Sequence, residues 1–145
     1  MVQILKKENN LLYFKLEPII TKEKPGELID LNLKNICKKL DIQFQMSKCF
    51  YINELNSDLS RGKHSNNNCT EILICLNGTF DIKLHNGKEV TIINMKKNEG
   101  IFINKNIWVD FYNFKDCIIV AFVDIDFDEE KKSCYDFNDF LNKFK

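Results

Sequence analysis

The stretch "TFDIKLHNGKEVTII", residues 79–93, constrains the fold more than any other part of the chain. Phe80, Ile82 and Leu84 alternate with Asp81, Lys83 and His85, a period of two that suits a half-buried strand. Asn86-Gly87 follows at once and offers the positive φ angles of a tight hairpin turn. A hairpin alone is marginal in water and needs further strands or a helix against its apolar face. The rest of the chain supplies them. "LLYFKLEPII" (11–20), "PGELIDL" (25–31) and "IQFQMSKCFYI" (42–52) carry strand signals, the last with Ile42, Phe44 and Met46 on one face. "GIFI", "IWVDFYNF" and "CIIVAFVDIDF" continue the pattern to residue 127.

Helical spacing is confined to two places. "LNLKNICKKL" puts Leu33, Ile36, Cys37 and Leu40 on one stripe. Near the C-terminus Phe137, Phe140, Leu141 and Phe144 repeat at helical spacing, after a Ser133/Asp136 pair that resembles a capping start. That aromatic stripe reads as packing against a sheet. Many short strands with a helix at the end predict an all-β fold, an antiparallel sandwich or barrel with a short C-terminal helix. A chain of 145 residues, 44% of them hydrophobic, is sized for a single domain over 1–145.

Formal net charge is zero, which argues against a nucleic-acid partner. No run approaches the roughly 20 apolar residues of a membrane span, and "MVQILKKENN" lacks the apolar core of a signal peptide. These features predict a cytoplasmic protein with no membrane partner. The six cysteines form no C-x-x-C pair. Cys75 and Cys117 lie in apolar runs and read as small buried hydrophobes.

The chemistry concentrates in "RGKHSNNNCTEILICLNG", residues 61–78, which holds the only arginine and one of the two histidines. As a metal site it is short of donors. His64 and Glu71 are candidates, Asn66 is a poor ligand, and His85 sits beside the hairpin turn on a polar face, so no metal is expected. Arg61 offers a planar fork for phosphate or carboxylate where every other basic residue is lysine. His64 can move a proton near neutral pH. Tyr51 ends the preceding strand, and its hydroxyl would share a barrel mouth with that loop. Together they read as anion holder, proton carrier and hydroxyl partner. The competing reading gives Arg61 a surface salt bridge and His64 a loop hydrogen bond, and the residues alone leave both open. Asn67 and Asn68 suit a polar turn. Asn66 alternates with His64 and would share its face. Glu71 either orients His64 or is a plain strand residue. Trp108 either packs in the core or forms a wall for a sugar or base.

The stretch Lys48–Gly78, "KCFYINELNSDLSRGKHSNNNCTEILICLNG", resembles the cupin-fold sugar 3,4-ketoisomerases, which act on dTDP-4-keto-6-deoxyglucose in deoxyaminosugar biosynthesis. Members carry a Tyr-rich strand, R-G-x-H-A-H, a run like E-Q-V-L-V-C-L-N-G, a D-G hairpin, a G-L-x-I segment, a V-W pair and a Tyr/Phe-rich tail. Here these stand as "FYI", "RGKHSN", "TEILICLNG", "HNG", "GIFI", "IW" and "CYDFNDF", over about residues 25 to 140. The resemblance implies a cupin jelly-roll barrel, no metal or redox cofactor, and a dTDP-linked 4-keto-6-deoxyhexose as substrate. It implies catalytic roles for His64, Tyr51 and Arg61, and substrate contacts from Arg61, Asn66, Glu71 and Trp108. His64 would remove the C3 proton, Tyr51 would pass a proton between the two oxygens, and Arg61 would stabilise the enediolate or grip the diphosphate. Three positions depart from the pattern. Asn66 replaces the second motif histidine, Val109 replaces a histidine after the tryptophan, and Tyr135 stands where an arginine is usual.

Other readings remain at this point. A nucleotide-sugar epimerase of the same barrel would want a His–Asp dyad and more cations. A non-catalytic cupin binding a nucleotide sugar is favoured by the missing histidine, whereas a metal-dependent cupin dioxygenase is disfavoured by the ligand count. The apolar strand "LLYFKL" has edges to cover, which predicts a homodimer with N-terminal strand exchange. The context implied is surface-glycan (lipopolysaccharide) biosynthesis.

Overall fold

The computed structural model describes residues 1–8, 11–20, 23–125 and 129–145. Among them are strands β1 (Val2–Glu8), β2 (Leu11–Leu16), β3 (Lys48–Leu55), β4 (Arg61–Asn66), β5 (Thr70–His85), β6 (Val90–Lys96), β7 (Glu99–Ile103), β8 (Trp108–Asp124) and β9 (Ser133–Cys134). Helices α1 (Leu33–Leu40) and α2 (Phe137–Asn142) complete the set.

The antiparallel pair β5–β8 is the spine, running from Thr70 opposite Asp124 to His85 opposite Trp108. Strands of 16 and 17 residues must bend to close a barrel, and register shifts between Cys75 and Asp81 supply the bend. Gly78 sits there with φ +71°, and a Cβ would lie 2.1 Å from the Lys115 carbonyl oxygen, so only glycine fits. Below the bend β7 and β3 flank the spine; above it β6 and β4 do.

Two apolar clusters follow from strand alternation. Leu73, Cys75, Phe80, Ile82, Met95, Ile101 and Ile119 fill the barrel interior. Ile72, Ile74, Val120 and Phe122 point the other way, against Leu12, Phe14 and Leu16 of β2 and against Ile36, Cys37 and Leu40 of α1. This explains why "ILICL" is continuously apolar rather than alternating, since both of its faces are covered. The α1 stripe anticipated by spacing is the buried one. Its Asn32 cap accepts from the Asn35 N–H at 3.2 Å. The all-β barrel with a short C-terminal helix is thus the fold observed.

Local details differ from expectation for identifiable reasons. The hairpin loop spans Asn86–Glu89, and only Gly87 takes positive φ, +96°. Asn86 instead uses its side chain, whose Oδ1 accepts from the Lys88 and Glu89 N–H groups at 2.9 and 2.8 Å. The strand foreseen from residue 42 begins at Lys48. Ile42 and Phe44 are apolar because they pack on the outer cluster, while Met46 is exposed. "PGELIDL" contributes one bridge, Leu28 to Ile19. α2 is capped by Asp136 itself, which accepts from the Asp139 N–H at 3.0 Å, leaving Ser133 to β9. Residues 126–127, to which the strand pattern extends, lie outside the described residues.

Candidate active site

β3, β4, β5 and β8 line an open cleft. Its walls are apolar, from Phe50 and Ile52 of β3, Leu73 of β5, and Phe111 and Phe114 of β8. Four chargeable groups line it among the described residues: Arg61, His64, Glu71 and Lys131. A few polar groups converging on apolar walls are what a small-molecule site requires.

Arg61 and His64 share this cleft because β4 is bulged. In a regular strand residues three apart face opposite sides. Here Gly62 and Lys63 take φ of +90° and +55°, and the register on β8 shifts between Gly62, opposite Asp110, and His64, opposite Val109. The extra residue resets the alternation. A Cβ at Gly62 would lie 2.9 Å from the Val109 oxygen and 3.0 Å from the Phe111 ring. Glycine in "RGKH" is therefore what aims the arginine and the histidine together. Among the described residues Arg61 has no ion pair and the His64 ring no hydrogen bond.

Asn66 is buried, 4% exposed, and ties the cleft residue Glu71 to β9. Its amide donates to Glu71 Oε1 at 3.0 Å, and the Ser133 hydroxyl donates to its Oδ1 at 3.1 Å. The carboxylate can only accept, which fixes the amide orientation. Lys131 Nζ reaches the same Glu71 oxygen at 3.0 Å. The neighbouring asparagines continue this fastening. Asn67 N–H donates to the Lys132 carbonyl at 2.8 Å, and the Asn68 amide donates to the Glu130 carbonyl at 2.8 Å. "NNN" is thus a clasp that holds the C-terminal arm over the site, beyond the polar turn its composition suggests.

Two anticipated site residues stand elsewhere. Tyr51 is 68% exposed. Alternation along β3 turns Phe50 and Ile52 into the cleft and its ring outward. Trp108 is buried under α2, its ring centroid 5.2 Å from that of Phe137 and 5.7 Å from that of Phe140. Its Nε1 donates to Asp110 Oδ2 at 3.3 Å. His85 lies beside it against the same two phenylalanines, and its Nδ1 accepts from the Gly87 N–H at 2.9 Å. Burial, and secondarily Lys83, hold the His85 imidazole below its ordinary pKa.

Two residues near His64 and Glu71 carry no assigned role in the sequence, Tyr135 standing there only as a departure from the ketoisomerase pattern. Lys131 lies in "EEKKS", a charge run that reads as solvated surface. Tyr135 brings its ring centroid to 5.8 Å from that of His64. Both arrive on the arm that the asparagines fasten, a long-range pairing with no local signature. Among the described residues no group of three His, Cys, Asp or Glu side chains is placed to hold a metal ion.

Residues 14–145 match the family described as FdtA: WxcM-like, C-terminal. The chain belongs to this family. A curated relative, the TDP-4-oxo-6-deoxy-alpha-D-glucose-3,4-oxoisomerase of Aneurinibacillus thermoaerophilus, is 24% identical over 91 residues. That match covers 61% of this chain and 66% of the relative, just under two thirds of its length. Among solved structures, WlaRA, a TDP-fucose-3,4-ketoisomerase from Campylobacter jejuni, is 31% identical with TM-score 0.75, covering 93% of this chain and 96% of its own. A double variant of the QdtA 3,4-ketoisomerase from Thermoanaerobacterium thermosaccharolyticum, in complex with TDP, is 25% identical with TM-score 0.76, covering 94% and 95%. The FdtA-like relatives are sugar 3,4-ketoisomerases of the cupin fold, so the resemblance in Lys48–Gly78 reflects family membership.

Proposed function

We propose that the chain is a TDP-sugar 3,4-ketoisomerase that converts dTDP-4-keto-6-deoxyglucose to a dTDP-3-keto-6-deoxyhexose. The observation that carries this reading is the β4 bulge, which delivers Arg61 and His64, both without a side-chain hydrogen bond or ion pair among the described residues, to one apolar-walled cleft. The named activities of the relatives supply the reaction class.

The C4 ketone acidifies the C3 proton. His64, as neutral imidazole, removes it, the C–H pair becomes the C3–C4 double bond, and negative charge moves to O4. The imidazolium then returns a proton at C4. Arg61 is exposed at the mouth, where its fork suits the diphosphate. Asn66 offers only hydrogen bonds and does no proton transfer. These steps call for no metal or redox cofactor.

The same reading places the enzyme in the cytoplasm, in deoxyaminosugar synthesis for surface glycans. It also makes the protein a homodimer that exchanges its N-terminal strand. The half-exposed Ile4 and Leu5 on β1, 36% and 38% exposed, support that exchange. Among the described residues no helix is long and apolar enough to cross a membrane. The test is incubation with dTDP-4-keto-6-deoxyglucose and NMR identification of the product. A 3-keto sugar is expected. Binding without turnover would return the non-catalytic reading, and a product inverted at a carbon with its ketone unmoved would return the epimerase.

A further inference from the structure

Moving a carbonyl from C4 to C3 needs two proton transfers, one between carbons and one between oxygens. The hydroxyl on O3 must lose its proton, and O4 must gain one. Tyr51 is turned outward and does not line the cleft. Asn66 cannot titrate. Among the described residues Glu71 is the one carboxylate lining the cleft. Its side chain is 8% exposed, and its two oxygens are used unequally. Oε1 accepts from both Asn66 and Lys131, each at 3.0 Å. Among the described residues Oε2 accepts no hydrogen bond. One oxygen is anchored, and the other is left for a ligand.

We propose that Glu71 carries the proton between the two sugar oxygens, with Lys131 and Asn66 as its positioning residues. This assignment rests on the ketoisomerase reading above. After His64 has taken the C3 proton, Glu71 Oε2 accepts the proton of the O3 hydroxyl. The O–H pair becomes the new C3–O3 π bond, the C3–C4 pair takes the proton that His64 holds, and the Glu71 carboxyl gives its proton to the O4 oxyanion. The imidazole ends neutral and the carboxylate ionised, as they began, and no outside reactant is consumed. The Lys131 ammonium and the Asn66 amide hold Oε1, which fixes which oxygen is left for the sugar. The assignment also gives the C-terminal arm a chemical purpose, since the asparagine clasp is what brings Lys131 to Glu71.

The test separates the two transfers. Wild type, Glu71→Gln, Glu71→Asp and Lys131→Met are incubated with dTDP-4-keto-6-deoxyglucose in deuterium oxide, with folding checked by circular dichroism. Deuterium entry at C3 and appearance of the 3-keto product are followed by NMR. Glu71→Gln is expected to lose product formation by about 10²–10⁴-fold, the usual cost of removing a positioned proton carrier, while C3 exchange stays within about tenfold of wild type. Glu71→Asp should recover part of the product rate, and Lys131→Met should lower product formation more than exchange. Loss of both rates in equal proportion would assign Glu71 a structural role and overturn the proposal, as would a Glu71→Gln product rate within threefold of wild type. If Glu71→Gln fails to fold, Glu71→Asp decides: a ratio of product formation to exchange equal to that of wild type overturns the assignment, and a lowered ratio supports it. A wild type that neither exchanges nor isomerises overturns the ketoisomerase reading itself, and this assignment with it.

Discussion

Asn66→Ala distinguishes an asparagine that touches substrate from one that ties the protein together. In the structure the side chain is buried and makes two hydrogen bonds, one to the Glu71 carboxylate at 3.0 Å and one from the Ser133 hydroxyl at 3.1 Å. A bond to a charged group contributes about 1.5–3 kcal/mol and a neutral one about 0.5–1.5 kcal/mol, so alanine should cost about 2–4.5 kcal/mol. For a chain of this size each kcal/mol moves the melting temperature by about 2–4 °C, so a loss of about 3 kcal/mol lowers Tm by roughly 6–12 °C. Turnover should fall by no more than about tenfold, because His64 is untouched and Lys131 still holds the same Glu71 oxygen. The assay pairs calorimetric melting with isomerisation rates at saturating nucleotide sugar. Amide hydrogen exchange should also quicken over residues 129–135, which the clasp holds. A Tm within about 1 °C of wild type, with turnover down far more than tenfold, would mean that Asn66 acts on the sugar, and the clasp account would fail.

Other consequences follow from placement. Tyr51→Phe should leave the product rate within about twofold, since the ring points away from the cleft; a loss of a hundredfold would return the hydroxyl to the mechanism. Phe140 is fully buried among Trp108, His85, Phe137 and Phe144. Phe140→Ala should therefore cost about 3–5 kcal/mol in denaturant melts, and a cost under about 1 kcal/mol would show α2 to be loosely docked. His85 has a folded-state pKa below its unfolded value. Between the two the unfolded chain binds more protons, so the His85 contribution is complete above about pH 6.5 and is lost as pH falls through the lower, folded value. His85→Gln, which keeps an acceptor for the Gly87 N–H, should flatten that slope; equal slopes would show that another group is responsible.

Sequence pattern carried the architecture where physics is local. Phe80, Ile82 and Leu84 alternate because β5 is half-buried there, and the α1 stripe is the face that packs. The Arg61/His64 pair could be read from residue type alone, because one arginine among 20 lysines is informative. What placed the two together could not be read so directly, since "RGKH" puts them on opposite faces unless the glycine bulges the strand. Tyr51 faces outward, and Trp108 packs under α2, one of the two roles that its residue type allows. Residue type alone does not give parity along a strand, and a one-residue step reverses the face. Lys131 was invisible because its partner is 60 residues away in sequence.

The measurement that bears most directly on the account is deuterium entry at C3 of dTDP-4-keto-6-deoxyglucose with wild type and His64→Ala, followed by NMR at saturating substrate. His85→Ala serves as the control, because His85 lies under α2 rather than in the cleft. Wild type should show exchange and 3-keto product, the His85 variant the same within a few-fold, and His64→Ala a loss of about 10²–10⁴-fold. Exchange by His64→Ala at the wild-type rate would contradict the assignment of His64, because the base would then be some other group.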